Sequence, residues 1–531
     1  MAEDGSPRST PRGPAHTGIR LAALPRAVGP GSGRPLLTSG AVTGRRLMVL
    51  SALALLAAGL VLLTTRDGVT MSPDSAVYVG TARSVASGHG LDVPIHFYPL
   101  GQVSIGTPPV GRSSPLPTPL IIYAPLAPIL LAVGGHPIEA ARIEDTIFFG
   151  LTILLIGLLV VAVTDRLRLA ATAQLLIGFS LAVMIAGVGT LATTLFFTVG
   201  ALVALIRHLA NPRYVWLILA SVAVGLATLD RFSAGPLIVF GVIALRHRRR
   251  DALVFFVLSS LPLVSWFLYE ATSGRSTGHF LGFHIETQTI RTGIQSVSAW
   301  VVPSNIPTKL ALLVAVVIAV IVLWLLFRHP GPVPALLLLF IVVQIVFLEV
   351  AITFFDAGVN LDPYEFIPIF VAVVLIAVCS MTDDRWLTVF TVALVAASIV
   401  HGGVQEISHP VSGYADQNWR HSAIIKDVRA LPAGTIIYTD APDALYLLAD
   451  RTTSSVPETV DFSTLKPNVH FQQQLGQIRH TLLTRGGVVV YVRGVGRDSF
   501  LPTEAYLRRS LGLTLVRNAR DGAIYKISSP S

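Results

Sequence analysis

The sequence predicts an all-α polytopic membrane protein of about eleven transmembrane helices, with a small C-terminal α/β domain on the extracytoplasmic side. Three observations carry this expectation. Of 531 residues, 52% are apolar and only 13% are charged, whereas a soluble globular chain carries about a quarter. The apolar residues fall in uninterrupted blocks of spanning length. The last stretch, of roughly 120 residues, breaks instead into short runs of the size used by a compact domain.

Residues 1–44 are rich in Gly, Pro, Ser and Arg and lack periodicity, which predicts a disordered cytoplasmic tail. A signal peptide fits poorly, because the polar stretch before the first apolar block is too long. Arg45 and Arg46 then precede the first span, 47–63. Further apolar blocks lie near 118–133, 145–164, 170–187, 191–206, 215–229, 232–245, 252–269, 308–327, 333–355, 364–380 and 386–401. Block 118–133 is short, follows Pro115-Leu-Pro-Thr-Pro119 and contains Pro125 and Pro128. It reads as a juxtamembrane or re-entrant helix at the interface rather than a span. With it left out, the loops around 165–169, 207–213, 246–250, 328–332 and 381–385 all fall on one side. They hold ten arginines, so that side is the cytoplasm. The transmembrane module is thus 45–404, with outer loops 66–144 and 271–307, and the N-terminus is inside. Within the outer domain, 405–531, residues 435–438 and 488–492 read as buried strands. Residues 443–449 and 471–483 read as helices, with two more strands near 512–517 and 523–527. Gly494-Val-Gly496 alone makes no dinucleotide fingerprint.

Charge and cysteine content exclude several classes. Lys+Arg 39 against Asp+Glu 30 gives a net charge of +9. The arginines sit beside apolar blocks, where they set topology, so the partner is the lipid bilayer and no nucleic acid is expected. The single cysteine, Cys379, leaves no intrachain disulfide, iron–sulfur cluster or cysteine zinc site. No internal repeat of the transporter kind is visible.

The most informative segment is Ser72-Pro-Asp-Ser-Ala-Val-Tyr78, continuing through Gly80-Thr-Ala-Arg83 to Gly88-His-Gly90. It follows the first span directly, so Asp74 lies at the outer membrane surface. A carboxylate at that low-dielectric boundary can serve as a general base. It can equally be a favourable charge in the first turn of a helix capped by Ser72 and opened by Pro73. The two readings are compatible.

An acidic residue just past the first span, then a Tyr, an Ala-rich helix and a Gly-x-Gly resembles the GT-C superfamily of membrane glycosyltransferases. Pro115–Pro128, Ala140-Ala-Arg142 and the span plan extend the resemblance over about residues 47–400. It implies inverting transfer of a sugar from a polyprenyl-phosphate donor to an envelope glycan, lipid or protein acceptor. Asp74 would take the acceptor proton, and cationic groups would offset the departing phosphate. Two departures stand out. Asp74 is followed by Ser75 rather than a second acid. In Leu361-Asp-Pro-Tyr-Glu-Phe-Ile-Pro368, Pro363 stands where relatives carry an arginine.

Candidates for the missing cation are Arg231, Arg275, Arg291 and Lys309. Asp230-Arg231 lies at the outer edge between two apolar blocks, where charge is costly and often functional; a local ion pair closing a turn is the alternative. Tyr78, Asp230, Asp356, Asp362, Tyr364 and His279 are candidate substrate contacts, although Tyr364 and Pro368 can simply anchor a helix start. Asp356 shares a helix face with Glu349, and Glu365 follows Asp362 within a turn or two. His279, His284 and Glu286 match no metal template; no cofactor is indicated, and a divalent cation is left open. Asp440, Asp443 and Asp450 are expected to cap the helix at 443–449 and solvate its face. A transporter or flippase for an envelope precursor, and a non-catalytic scaffold, are the competing functions. The long first loop with its acidic motif and interfacial helix favours the transferase.

Overall fold

The computed structural model describes residues 37, 43–66, 68–95, 118–119, 123–185, 191–272, 283, 287–302, 306–354, 361, 363–380, 413–460, 466–494 and 500–528. The helices run α1 (Gly44–Thr64), α2 (Pro73–Ala86), α3 (Leu126–Leu131), α4 (Pro137–Thr164), α5 (Leu167–Ile185), α6 (Leu191–Ala210) and α7 (Tyr214–Asp230). After them come α8 (Pro236–Ala244), α9 (Arg249–Thr272), α10 (Thr287–Ser298), α11 (Thr308–Arg328), α12 (Pro332–Phe354) and α13 (Ile367–Ser380). Six of these, α1, α4, α6, α9, α11 and α12, are long and apolar enough to cross a membrane. The shorter α5, α7, α8 and α13 are also apolar. The last expected span, 386–401, lies outside the described residues.

The helix described within the block at 118–133 is too short to cross. This helix, α3, has six residues and rises about 9 Å, against a hydrocarbon core of about 30 Å. An ion pair fixes the consequence: Arg46 at the start of α1 bonds Asp165, just past α4, at 2.5 Å. Both therefore lie at the same end of the bundle. Arg248 gathers a second turn to its neighbour, donating to the carbonyls of His208 (3.2 Å) and Leu209 (3.4 Å).

Packing inside the bundle depends on small residues that let helices approach. Gln174 of α5 donates to the carbonyls of Leu50 (3.1 Å) and Ile153 (2.9 Å), joining α1, α4 and α5. A Cβ on Gly157 would fall 2.6 Å from its amide nitrogen. Gly225 on α7 likewise leaves room for Pro262, which sits inside α9.

The C-terminal part is a five-stranded sheet with flanking helices. Its helices are α14 (Gln417–Arg420), α15 (Ala423–Arg429), α16 (Pro442–Ala449), α17 (Phe471–Arg485) and α18 (Glu504–Leu511). Its strands are β3 (Ile437–Thr439), β4 (Ser454–Ser455), β5 (Val488–Val492), β6 (Leu513–Ala519) and β7 (Gly522–Ile527), after a two-residue pair, β1 (Asp92–Val93) with β2 (Thr118–Pro119), in the first loop. The order is β4-β3-β5-β7-β6, with β3 parallel to β4 and β5, and β7 antiparallel to β5 and β6. The buried, Val-rich β5 occupies the centre, as a strand covered on both faces requires.

One face of this sheet has a core of its own, around Tyr438, Ile478, Leu482, Val489, Leu507 and Tyr525; the other face shares its core with the rest of the chain. One continuous apolar cluster joins Val79 and Ala82 of α2, Ala127 and Leu131 of α3 and Ala141 of α4 to Ile424, Ile437, Leu445, Val488 and Ile524. Asp440 and Asp443 also differ from expectation. Helix α16 has no side-chain cap. Asp440 instead accepts from the Val492 N–H at 2.9 Å, bracing β5 against β3, and Asp443 accepts from the Tyr414 hydroxyl at 2.6 Å. Asp450 ends the helix in the left-handed region, φ 54°.

Burial pushes the Asp440 carboxyl up to about 7, above the ordinary range near 3.9. The unfolded chain therefore releases this proton before the folded one does. Between about pH 4 and pH 7 the native state binds more protons, so stability falls as pH rises across that window and levels off above it. The melting temperature of the purified protein is expected to show this slope, and Asp440→Asn is expected to flatten it.

Candidate active site at one end of the bundle

The site begins with a local device. Ser72 accepts from the Ser75 N–H at 3.3 Å, and the Ser75 hydroxyl accepts from the Ser72 N–H at 2.9 Å. This reciprocal capping box, with Pro73 next, starts α2 immediately after the first span. Asp74 lies in the first turn, where the helix dipole favours a negative charge. Its side chain is exposed, and Tyr123 donates to Oδ1 at 2.9 Å. One carboxylate oxygen is thereby held by a phenol hydroxyl.

Tyr78, one helical turn on, stacks edge-to-face on Tyr123 with ring centroids 5.5 Å apart. It is buried, which is the largest reason its phenol is pushed up; the charge of Asp74 comes next. Arg231 opposes the shift, and Asp230 and Glu365 add to it. All four charges therefore lie within electrostatic reach of one tyrosine.

Arg231 comes from the sharp turn between α7 and α8, where backbone leaves the helix in extended geometry, φ −151°, ψ 123°. Its guanidinium pairs with Glu365, in the short 3-10 turn Pro363–Phe366 that opens α13. Both side chains are partly open, at 30% and 17% exposure. They line a small cavity together with Thr194, Ser233, Gln344 and Tyr364. Gln344 of α12 braces the turn by donating to the Ser233 carbonyl at 3.2 Å.

Asp230 points the other way. It is fully buried and accepts from Thr194 at 2.6 Å, and its Oδ1 has no hydrogen-bond partner among the described residues. The preceding Thr193 donates to Glu144 of α4. Consecutive threonines on α6 thus hold two carboxylates from two other helices.

Of the residues singled out from sequence, the fold brings Asp74, Tyr78, Asp230, Arg231 and Tyr364 to one end of the bundle. Arg291 and Lys309 are exposed on α10 and at the start of α11, and neither makes a hydrogen bond or ion pair among the described residues. Arg275, His279, Asp356 and Asp362 lie outside the described residues. Arg142 is structural: it donates to Thr65 and to the Leu62 carbonyl, both at 3.2 Å, finishing the end of α1. Tyr123 and Glu144 were missed. Tyr123 sits in a proline-rich stretch with no helical phase to place it, and Glu144 is embedded in the approach to an apolar span. Among the described residues, no group of three or more His, Cys, Asp or Glu side chains is placed to hold a metal.

No family model matches the sequence, and no curated protein matches it. Solved structures do. The crystal structure of ArnT from Cupriavidus metallidurans, bound to undecaprenyl phosphate, superimposes with a TM-score of 0.54 at 12% identity. The match covers 91% of this chain and 98% of that one. The chain has the fold of ArnT. The likeness runs through both the helical bundle and the C-terminal α/β part, since 91% coverage leaves room to omit neither. At 12% identity the likeness describes architecture, and the chemistry rests on this chain's own residues.

Proposed function

We propose that the chain is a membrane glycosyltransferase that moves a sugar from a polyprenyl-phosphate donor to an extracytoplasmic glycan, lipid or protein acceptor. One observation carries this reading: an exposed carboxylate, Asp74, and a partly exposed guanidinium, Arg231, share one end of the bundle across the buried Tyr78. This is the pair that such a transfer needs. A base must take the acceptor proton as its oxygen attacks the anomeric carbon, and a cation must meet the phosphate that departs. The arginine-rich turns gather at the end opposite to Asp74. By the positive-inside rule that end is cytoplasmic, which puts the site outside.

In this mechanism Tyr123 fixes Asp74 Oδ1, leaving the second oxygen to accept the acceptor's proton. Arg231 takes the place left open by Pro363: it arrives from the α7–α8 turn rather than from the segment before Pro368, yet lies against Glu365 of that same segment. A fork of N–H donors suits a phosphate better than a point charge does. A donor with a long apolar tail and a phosphate head favours this placement, with the reactive groups at headgroup level beside lipid-facing helices. ArnT having been crystallised with undecaprenyl phosphate is consistent with a donor of that kind.

The test is turnover by purified protein in lipid nanodiscs, supplied with a panel of polyprenyl-phosphate sugars and an envelope extract as acceptor. Release of polyprenyl phosphate from one donor, dependent on acceptor, is the expected result. Translocation of intact donor without release would replace the transferase by a flippase.

A further inference from the structure

Helix α2 carries Asp74 and Tyr78 but is poorly equipped to hold itself in place. It has 14 residues, with Gly80 in its middle. An isolated helix of that length is marginal, and an internal glycine weakens it further. Its position must come from what packs on it.

Much of that packing comes from the C-terminal domain. The strand-like approach to α2 is pinned first: the Tyr414 N–H donates to the Met71 carbonyl at 2.8 Å, and Met71 bridges Gly413. Gly413 adopts φ 67°, and a Cβ there would run into the Met71 carbonyl. The Tyr414 hydroxyl then donates to Asp443 in the first turn of α16. Three residues further along α16, Tyr446 lies against the middle of α2. A Cβ on Gly80 would stand 3.1 Å from its ring and 3.0 Å from Pro94. The Arg83 guanidinium covers the same ring, 5.7 Å from its centroid. Tyr446 is 9% exposed and clusters with Ala76 and Val77 of α2 and Val93 and Ile95 beyond it.

We infer that the C-terminal domain sets the position of Asp74, through the seat that Tyr446 makes for Gly80 and Arg83, so that Tyr446 is a positioning residue for the transfer. The inference rests on the reading of Asp74 as the base. Gly80 lies six residues after Asp74, about 9 Å along the same rigid rod, and a displacement of about 1 Å at a reacting group can cost about 10²-fold in rate. Tyr446 is too buried to present a surface to an acceptor, so its contribution passes through α2.

Two substitutions disturb the seat from opposite sides. Tyr446→Ala removes the ring, and Gly80→Ala wedges α2 away from a ring that is still there. Each is read in the full-length protein in nanodiscs, by steady-state kinetics with the donor that the wild type turns over and by hydrogen exchange of the α2 amides. Both variants are expected to lower kcat 10- to 100-fold, with donor KM within twofold and exchange at residues 75–82 at least tenfold faster. Tyr446→Phe, which keeps the ring, is expected to restore both readouts. A raised acceptor KM with kcat and exchange unchanged would overturn the inference and make Tyr446 part of an acceptor subsite. Unchanged kinetics and unchanged exchange in both variants would overturn it as well. Faster exchange in a protein whose wild type releases polyprenyl phosphate from no donor would support the positioning of α2 and overturn the transferase reading instead.

Discussion

Asp74→Asn is expected to lower turnover about 10³-fold, the middle of the range that a positioned general base contributes, while leaving the fold and donor binding in place. Asparagine keeps the size of the side chain and can still accept from Tyr123, so the Asp74–Tyr123 contact survives. The capping box is made by Ser72 and Ser75 and does not use Asp74, so α2 still starts where it does. What is lost is a group able to take a proton. The substitution also removes a negative charge from the surroundings of Arg231, on which Asp74 acts directly. Binding of polyprenyl phosphate is therefore expected to stay level or tighten. Single-turnover kinetics and phosphate-lipid binding, measured on the same preparation, separate the two effects. Weakened lipid binding with unchanged chemistry would move Asp74 from base to binding residue.

Arg231→Gln has the second large effect, and of a different kind. Hydrogen bonds to charged groups contribute about 1.5–3 kcal/mol, so the donor KM is expected to rise about 10- to 100-fold. Because the phosphate gains charge as it leaves, kcat is also expected to fall, by up to about 10²-fold. Arg231→Lys keeps the charge but not the fork and should recover only part of the loss. The ion pair with Glu365 adds a discriminating variant. An arriving phosphate must compete with that carboxylate for the guanidinium, so Glu365→Gln is expected to tighten binding of polyprenyl phosphate. In an Arg231→Gln background the same change should have no effect on binding. It should instead recover stability, since Arg231→Gln alone strands a largely buried carboxylate. Equilibrium binding of a labelled polyprenyl phosphate to the wild type, the Arg231→Gln and Glu365→Gln variants and their double variant, with thermal unfolding of the same four proteins, checks both statements.

Much of the architecture was legible because its signals are local. Hydropathy located the blocks that became α1, α4 to α9 and α11 to α13. Alternating short runs located the strands at 437–439, 488–492, 513–519 and 522–527. The start of α2 was legible for the same reason, since Ser72, Pro73 and Asp74 act within one turn. The prolines that demoted block 118–133 from a span to an interfacial piece are local too.

The site was legible only in part, because its decisive relations are through space. Tyr123 meets Asp74 across 49 positions, and Arg231 meets Glu365 across 134; no spacing rule connects such pairs. Hydrophobicity singled out Asp230-Arg231 as costly charges, but it could not separate their fates. One side chain turns inward to Thr194 and the other outward to Glu365. The acidic trio at 440, 443 and 450 shows the opposite error. A capping role is a sound local prior for Asp near a helix start, and it lost here to a strand amide and a tyrosine from elsewhere in the fold.

The shared core of α2, α3 and the C-terminal sheet also sets a schedule for biogenesis. Met71 and Tyr414 are about 340 residues apart along the chain, a long-range pairing of the sort that closes late. The ribosome delivers α2 early, and the residues that complete its packing late. Until the C-terminal domain emerges, the helix bearing Asp74 has no finished seat, and its apolar face needs shelter from misassociation. A chain lacking the C-terminal domain is therefore expected to insert without acquiring an ordered α2.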